Sequence, residues 1–222
     1  MTTTPPQTEQ QLMQLVYAIA GMNIAQVAQQ CEQIVPENLM HNKGFVGQLI
    51  EMALGAESGS LAQPDFPHLG IELKTLPINA QGRPKESTYV SVAPLTDLGG
   101  IHYENSIVGQ KLNHVLWIPI EGEQSIPLAE RRIGQGFLWK PSEHQYQQLH
   151  RDFTEIMETI ALGQVETISA HQGEVLQLRP KAANAKALTQ AIGPEGRKMM
   201  TLPRGFYLRP SFTASLLDHF IR

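Results

Sequence analysis

Residues 64–75, Pro-Asp-Phe-Pro-His-Leu-Gly-Ile-Glu-Leu-Lys-Thr, combine a turn with a short strand and place acids at two separated positions. Asp65 is followed by Glu72, and Lys74 comes two residues later. Side chains alternate between the two faces of a strand, so Glu72 and Lys74 project from one face while Leu73 points into a core. The stretch therefore predicts a half-buried strand that carries an acid and a lysine side by side.

The spacing of Asp65, Glu72 and Lys74 is typical of Mg²⁺-dependent nucleases. Two carboxylates can share one hard cation, which prefers oxygen ligands and takes few of them from the protein. The lysine is then left beside the metal-bound water and the scissile phosphate. The same residues also fit an ordinary half-exposed strand after a Pro-Asp turn, so the motif alone leaves both interpretations open.

The composition is that of a globular protein, with 222 residues of which 41% are hydrophobic and 17% are charged. This length suffices for one large domain or two small lobes. No apolar run approaches the length of a membrane span, and residues 1–11 lack the basic and apolar regions of a signal peptide. The single cysteine, Cys31, excludes an internal disulfide framework and fits a reducing compartment. We expect a cytoplasmic protein without membrane contact.

Other chemistries find no support in the sequence. The eight histidines are scattered singly, and neither a cysteine cluster nor an HExxH motif is present, which argues against a zinc site. A phosphate-binding Walker A loop is also missing, which argues against an ATPase.

Basic residues concentrate in the last part of the chain, although the net charge of the whole is −4. Residues 179–222 hold eight bases against two acids, Glu195 and Asp218, which gives a net charge of +6. Such an asymmetry can hold a polyanion along one side of a protein, and residues 179–222 are our candidate DNA-reading part. A solvated basic surface is the alternative interpretation.

The element pattern predicts an α+β protein, which we expect to form a single domain of two lobes over residues 1–222. Predicted helices cover 8–20, a short segment from 23, about 43–54, 142–162, a segment from 184 and one from 211. Predicted strands cover about 69–77, 87–94, 114–120, 165–170, 174–179 and 205–209, with 95–106 as a loop. The Gln81-Gly82-Arg83-Pro84 turn predicts that the first two strands form a hairpin.

The helix predicted over 43–54 carries an unusual stripe, in which Gly44, Gly47, Glu51 and Gly55 fall on one side. Glycine inside a helix costs about 0.5–1 kcal/mol relative to alanine, so a bare stripe needs a reason. Close approach of a large partner is one reason, and tight packing against another backbone is the other. Glu51 is the only charged residue of the stripe and is a candidate third carboxylate near Asp65 and Glu72.

Two further segments carry candidate DNA contacts. Arg179-Pro180-Lys181 follows a predicted strand, and an arginine can bind guanine bidentately in the major groove. Tyr207 offers a flat surface to a base or a methyl group, and Lys111 precedes an apolar strand as a possible second cation beside the phosphate. Each of these residues also has an ordinary interpretation as a surface or core residue.

Taken together, these stretches resemble the MutH family of methyl-directed DNA mismatch-repair endonucleases. The matching segments are Lys43-Gly44-Phe45-Val46-Gly47 with Glu51, Asp65-Phe66, Gly70-Ile71-Glu72-Leu73-Lys74-Thr75, Val115-Leu116-Trp117-Ile118-Pro119, Leu178-Arg179-Pro180-Lys181-Ala182-Ala183-Asn184 and Pro203-Arg204-Gly205-Phe206-Tyr207. The resemblance covers nearly the whole chain. It implies a restriction-endonuclease-like fold of the PD-(D/E)xK type, with a mixed central sheet flanked by helices and two lobes about a DNA cleft.

The resemblance also implies a reaction and its partners. Members of the family nick the unmethylated strand 5′ to the guanine of a hemimethylated GATC site in double-stranded DNA. They use Mg²⁺ and are activated by the MutL ATPase after MutS has found a mismatch. We expect this chain to act as a monomer.

Site residues are assigned from the same resemblance. The predicted catalytic residues are Glu51, Asp65, Glu72, Lys74 and Lys111, and the predicted metal ligands are Asp65, Glu72 and the backbone of Leu73. The predicted DNA-binding residues are Lys43, Gly44, Tyr89, Arg179, Pro180, Lys181, Lys186 and Tyr207, with Tyr207 placed to sense adenine methylation.

Three alternatives stay open at this point. A GATC restriction endonuclease of the same fold would cut both strands, and a methylation reader would bind GATC without cutting. A cytoplasmic α+β interaction protein would bind no divalent metal.

Overall fold

The structure, a computed structural model, describes residues 4–37, 44–57, 63–182, 184 and 186–220. It confirms the mixture of helices and strands. The chain divides into two compact units, the first of Met1–Lys85, Asn113–Lys140 and Leu217–Arg222, the second of Glu86–Leu112 and Pro141–Leu216. That these units are the two lobes of a single domain stays a prediction.

The α-helices of the described part are α1 (Glu9–Ile19), α2 (Ile24–Gln30), α3 (Phe45–Leu54), α4 (Ile107–Leu112), α5 (Glu143–Ala161) and α6 (Pro210–Phe220). The strands are β1 (Glu72–Ile78), β2 (Thr88–Val92), β3 (Val115–Glu121), β4 (Phe137–Trp139), β5 (Leu176–Pro180), β6 (Thr189–Ile192), β7 (Lys198–Thr201) and β8 (Arg204–Leu208). No helix within these ranges has the length and apolarity needed to cross a membrane.

Three helix starts follow their polar capping residues, as the sequence predicts. In each pair the first side chain accepts the backbone N–H of the second, which satisfies one of the amides that a helix leaves unpaired at its start. The pairs are Thr8–Gln11, Asn23–Gln26 and Ser142–Gln145.

The first unit is built on the sheet β1–β3–β4, in which β1 runs parallel to β3 and β4 runs antiparallel to it. Helices α1, α2 and α3 share one hydrophobic core with this sheet. Burial of each Leu or Ile side chain contributes about 1.5–3 kcal/mol, so this core fixes where β1 lies. Its fully or nearly fully buried members include Leu12, Val16, Ile24, Val27, Leu49, Ile50, Leu73, Leu116 and Ile118.

The hairpin predicted between the first two strands is wrong. β1 pairs along its whole length with β3, from Glu72–Val115 to Ile78–Glu121, and β2 pairs with β8. The predicted turn does form, but it closes only a single bridge between Ile78 and Pro84. The reason is burial, because β3 is apolar and buried almost throughout and can cover β1 as the short, half-exposed β2 cannot.

The second unit contains the antiparallel sheet β2–β8–β5 and the separate hairpin β6–β7. Asp152 of α5 is 2% exposed and accepts hydrogen bonds from the backbone N–H groups of Glu174, Val175 and Leu176, at 3.0, 2.7 and 2.8 Å. This carboxylate therefore fixes the start of β5 against the helix. In the described residues the strands form three small sheets, of which β1–β3–β4 is the mixed one.

Two other element predictions in the second unit are wrong. The strand expected over 165–170 is a short 3₁₀ helix, Val165–Thr167, since its amides bond three residues back instead of across a sheet. The helix expected from Asn184 does not form, because the Asn184 side chain accepts the N–H of Lys186 at 2.9 Å and makes a turn before β6. Asparagine favours such turns as readily as helix starts.

Candidate active site

At the start of β1 an acid and a lysine lie side by side, as the strand pattern predicts. Lys74 Nζ donates to Glu72 Oε1 at 2.5 Å. Glu72 is 1% exposed and its N–H donates to the backbone oxygen of His114 at 3.0 Å, the first hydrogen bond that joins β1 to the β3 side. Leu73 alternates with both residues and lies in the core of the first unit. The strand therefore holds both charged groups on a rigid element.

Asp65 is brought to the same place by a tight loop. Phe66 and Ile71 exchange backbone hydrogen bonds of 2.9 and 3.2 Å, and Gly70 closes the loop with a φ of +64°. That φ lies in the left-handed region, which glycine enters without steric cost. The Asp65 Oδ2 atom accepts the N–H of Leu73 at 2.8 Å, so its carboxylate lies beside the first residues of β1. We call Asp65, Glu72 and Lys74 the β1 site.

The β1 site places two buried carboxylates near one ammonium group. Asp65 is 5% exposed and Glu72 is 1% exposed. Burial disfavours the charged form of a carboxylate, so such a pair is stabilised by a cation. Within the described residues no group of three or more His, Cys, Asp or Glu side chains forms a metal-binding cluster. The oxygen donors that the β1 site brings together are thus the two carboxylates, and the backbone carbonyl of Leu73 as a further ligand stays a prediction.

Helix α3 carries Glu51 and the glycine stripe. A Cβ atom added at Gly47 would lie 3.9 Å from Glu51 Oε1 and, among the described residues, within 4 Å of nothing else. One added at Gly44 would meet only the Gln48 side chain of the same helix, at 3.7 Å. Packing of another described backbone segment therefore does not explain these two glycines. The role of Glu51 as a third carboxylate stays a prediction.

A second group of predicted residues comes together on the β2–β8–β5 sheet of the second unit. Tyr89 lies opposite Tyr207 in the register, and the ring centroids are 5.4 Å apart in an edge-to-face arrangement. Arg179 Cζ lies 5.8 Å from the centroid of the Tyr207 ring, and Lys181 Nζ lies 3.1 Å from that of Tyr89. Both are cation–π distances. We call these four residues the cation–tyrosine face.

Both tyrosines stay neutral at physiological pH. Burial raises the pKa of Tyr89, and the neighbouring Tyr207 raises it further. Burial also raises the pKa of Tyr207, although the positive charge of Arg179 opposes this shift. The face therefore presents neutral half-buried rings between exposed cations.

The structure adds two residues to this face that the sequence analysis did not single out. Ser87 Oγ accepts hydrogen bonds from Gln177 Nε2 at 2.7 Å and from Arg179 Nη1 at 3.1 Å. Gln177 precedes Arg179 by two positions, so strand periodicity alone places it on the same face. Ser87 offers no such signal, because its contact depends on how the strands pair.

The remaining predicted residues lie on several different elements. Lys111 lies in the last turn of α4 in the second unit. Pro180 ends β5, Lys186 is exposed after the Asn184 turn, and Lys43 lies outside the described residues. The structure leaves the role of each of these residues as a prediction.

A Pro-Asp turn, a strand of the form Glu-x-Lys and two buried carboxylates define a candidate active site of the nuclease class with the PD-(D/E)xK motif. Comparison with known proteins agrees with this class. The family model described as "DNA mismatch repair enzyme MutH" matches residues 54–152.

Similar proteins from three organisms carry the name "DNA mismatch repair protein MutH". The chain is 59% identical over 216 residues to that of Pasteurella multocida (strain Pm70), with 97% of each chain covered. It is 56% identical over 214 residues to that of Shewanella baltica (strain OS185), with 96% of each covered. It is 52% identical over 219 residues to that of Escherichia coli O127:H6, with 98% of this chain and 96% of the relative covered. The chain belongs to the MutH family.

Proposed function

We propose that this protein nicks the unmethylated strand of double-stranded DNA, 5′ to the guanine of a hemimethylated GATC site. As a member of the MutH family it is a DNA mismatch-repair endonuclease. The observation that supports cutting, rather than binding alone, is the pair of buried carboxylates, Asp65 and Glu72, with Lys74 bonded to Glu72. The restriction-endonuclease-like arrangement of two lobes about a DNA cleft belongs to this proposal.

Mg²⁺ is the cation proposed for the β1 site, with Asp65, Glu72 and the backbone carbonyl of Leu73 as its protein ligands. The donor set fits, because all three donors are oxygens and both carboxylates are almost fully buried. When bound, Mg²⁺ supplies a Lewis acid that polarises a phosphate oxygen and lowers the pKa of its water.

Lys74 is the cation that the chain itself contributes. Its side chain is only 15% exposed, so its charge acts through a medium less polar than bulk water. The hydrogen bond to Glu72 fixes the ammonium group on the same face of β1. In this position Lys74 would orient the attacking water and stabilise the negative charge that grows on the phosphate. Glu51 and Lys111 are proposed as an accessory acid and base.

The cation–tyrosine face is proposed to read the DNA sequence. Each of its two cations lies against one tyrosine ring, so both have a defined geometry as well as charge. Arg179 and Lys181 would contact guanine in the major groove, and Tyr207 would contact adenine where a methyl group distinguishes the strands. The other proposed DNA contacts are Lys43, Gly44, Tyr89, Pro180 and Lys186.

Regulation is proposed from the family resemblance. MutL would activate the monomer after MutS has found a mismatch, in the bacterial cytoplasm. A low rate without MutL fits such an enzyme, since nicking at every GATC site would be harmful.

The direct test uses a supercoiled plasmid with one GATC site in three forms, hemimethylated, fully methylated and unmethylated. Each is incubated in Mg²⁺ with and without MutL and ATP. We expect MutL-stimulated nicks on the unmethylated strand and resistance of the fully methylated plasmid. Fast double-strand cuts without MutL would establish a restriction enzyme instead, and tight binding without cuts would establish a methylation reader.

The metal proposal has a test that does not depend on activity. A cation that binds only the folded state increases the free energy of unfolding, by about 2.7 kcal/mol at a concentration of 100 times its dissociation constant. The unfolding midpoint rises accordingly. We expect Mg²⁺ to raise the midpoint of the wild-type protein and not that of Asp65→Asn. Asp152→Asn is the matched control, since it also alters a buried aspartate. It should lower the midpoint in the absence of the cation and keep the Mg²⁺-dependent rise.

A further inference from the structure

Ser87 connects the interior of the second unit to the cation–tyrosine face. Gln177 is 4% exposed, and its side-chain amide donates to Ser87 Oγ at 2.7 Å. The same oxygen accepts the Nη1 group of Arg179 at 3.1 Å. The chain of contacts runs from a buried amide through a half-buried hydroxyl to an exposed guanidinium group. The position of an exposed arginine is thus set from the interior.

The guanidinium group of Arg179 is held on two sides. Ser87 takes one N–H of Nη1, and the ring of Tyr207 lies 5.8 Å from Cζ. A guanidinium group has five N–H donors in a fixed plane. The Nε–H and one hydrogen of Nη2 form a parallel pair that does not involve Nη1, and this pair matches the O6 and N7 atoms of guanine. An exposed arginine without these contacts would have to be ordered when DNA binds, which weakens recognition.

We propose that Ser87, supported by Gln177, is a positioning residue that determines specificity for guanine through Arg179. The inference rests on the proposed function, in which the segment of Arg179 reads the target site. It goes beyond that function by assigning sequence discrimination to two uncharged residues, one of which is buried. Neither residue needs to touch DNA.

The test compares Ser87→Ala with the wild-type protein on two DNA duplexes, one with GATC and one in which the guanine pair is replaced by an adenine pair. The quantity measured is the ratio of kcat/KM for the two duplexes. This ratio is independent of the fraction of active protein, so partial misfolding does not change it. We expect the ratio to fall about tenfold in Ser87→Ala, since a bidentate guanine contact lies in this range of discrimination.

Two further variants separate positioning from general damage. Ser87→Thr keeps a hydroxyl group and should keep the ratio within about twofold of wild type, the usual size of a surface substitution. Ser91→Ala is the matched control, because Ser91 lies in β2, which begins directly after Ser87, and its Oγ is buried without a hydrogen-bond partner among the described residues. It should leave the ratio unchanged.

Gln177→Met supplies an independent arm of the experiment. Methionine fills a similar volume but cannot donate to Ser87, so the ratio should fall in the same direction. In the double variant Ser87→Ala/Gln177→Met the ratio of kcat/KM should be no lower than in Ser87→Ala alone, because both residues act through one contact.

The outcomes are distinct. If wild type discriminates and Ser87→Ala discriminates equally well, the proposal is overturned. Equal loss of kcat/KM on both duplexes also overturns it, because that result places Arg179 on a phosphate or Ser87 in general structure. If the wild-type protein itself does not distinguish the duplexes, the proposed function fails first. A fall of the ratio in Ser87→Ala that Ser87→Thr restores supports the proposal.

Discussion

At the start of β1 the ionisable side chains are buried and mostly acidic, whereas on the cation–tyrosine face Arg179 and Lys181 are exposed and basic. Buried carboxylates are costly, and they are tolerated where a cation and fixed hydrogen bonds compensate them. Exposed cations keep their hydration, and salt screens their charge. They therefore suit the reversible binding of a polyanion. Under the proposed function Asp65, Glu72 and Lys74 would carry the reaction and the cation–tyrosine face would carry recognition, and each of these two roles can be tested separately.

Removal of Lys74 should produce the largest effect and should affect only the reaction. We expect Lys74→Ala to nick GATC DNA about 10²–10³ times more slowly, the usual loss when one group that stabilises transition-state charge is removed. Fluorescence anisotropy with a GATC duplex should show nearly unchanged binding.

The matched control for Lys74 is Lys85→Ala. Lys85 is also in the first unit, but it pairs with Glu123 at 3.1 Å, away from the carboxylate pair. It should nick at the wild-type rate. If Lys74→Ala nicks as fast as wild type, Lys74 takes no part in the reaction.

Removal of Arg179 should affect recognition and leave the reaction itself intact. Arg179→Ala should lose about 1–3 kcal/mol of discrimination at the guanine and little at the other base pairs. The measurement is kcat/KM on duplexes with single substitutions in GATC. Arg151→Ala is the control, because Arg151 is an exposed arginine of the same unit that pairs with Glu174 at 2.8 Å. A uniform loss over all duplexes would make Arg179 a phosphate contact.

Lys186 should behave differently from Arg179, since it is exposed and lies in a turn. Lys186→Ala should weaken binding to all sequences alike and reduce the slope of log K against log salt concentration by about 1. Lys140→Ala, a similarly exposed lysine of the first unit, should leave the slope unchanged. A base-specific loss in Lys186→Ala would place this lysine among the reading residues.

The smallest expected effect is on the pH dependence of stability, through the buried His114 of the first unit. Burial lowers the pKa of His114 below its ordinary 6.5, Lys140 lowers it further, and Glu9 opposes the shift. The unfolded chain therefore binds a proton more readily than the fold does. The contribution of His114 to stability is complete above about pH 6.5 and is lost as the pH falls below that value.

Replacement of His114 by glutamine should flatten this dependence. Denaturant midpoints of wild type and His114→Gln, measured between about pH 7.5 and about pH 5.5, should converge at the acidic end. A wild-type midpoint that falls no more steeply than that of His114→Gln would show that the histidine is not the group responsible.

The β1 site could be predicted from the sequence because its information is local. Glu72 and Lys74 follow from the strand period, and the loop that returns Asp65 to them is short and contains Gly70. The capping pairs of α1, α2 and α5 are likewise local signals. The roles of these residues in the reaction are predictions that the variants above test.

What the sequence did not reveal depends on strand pairing between distant segments. The apolar sequence of β3 predicts a buried strand but does not identify β1 as its partner, and the local turn at Gly82 favoured a hairpin instead. The contact of Ser87 with Arg179 exists only because β2 and β5 both flank β8. Short elements such as α4 and β4 are too brief for a hydrophobic period to appear.

The order of the strands along the chain has a consequence for synthesis. Sheet β1–β3–β4 is complete once Trp139 has been made, whereas β2 cannot meet β8 until Arg204–Leu208 has emerged near the end of translation. Domains begin to fold while the ribosome is still adding residues, and long-range pairings form slowly. In the nascent chain the strands that hold Glu72 and Lys74 can therefore pair before the sheet that carries Arg179 can form.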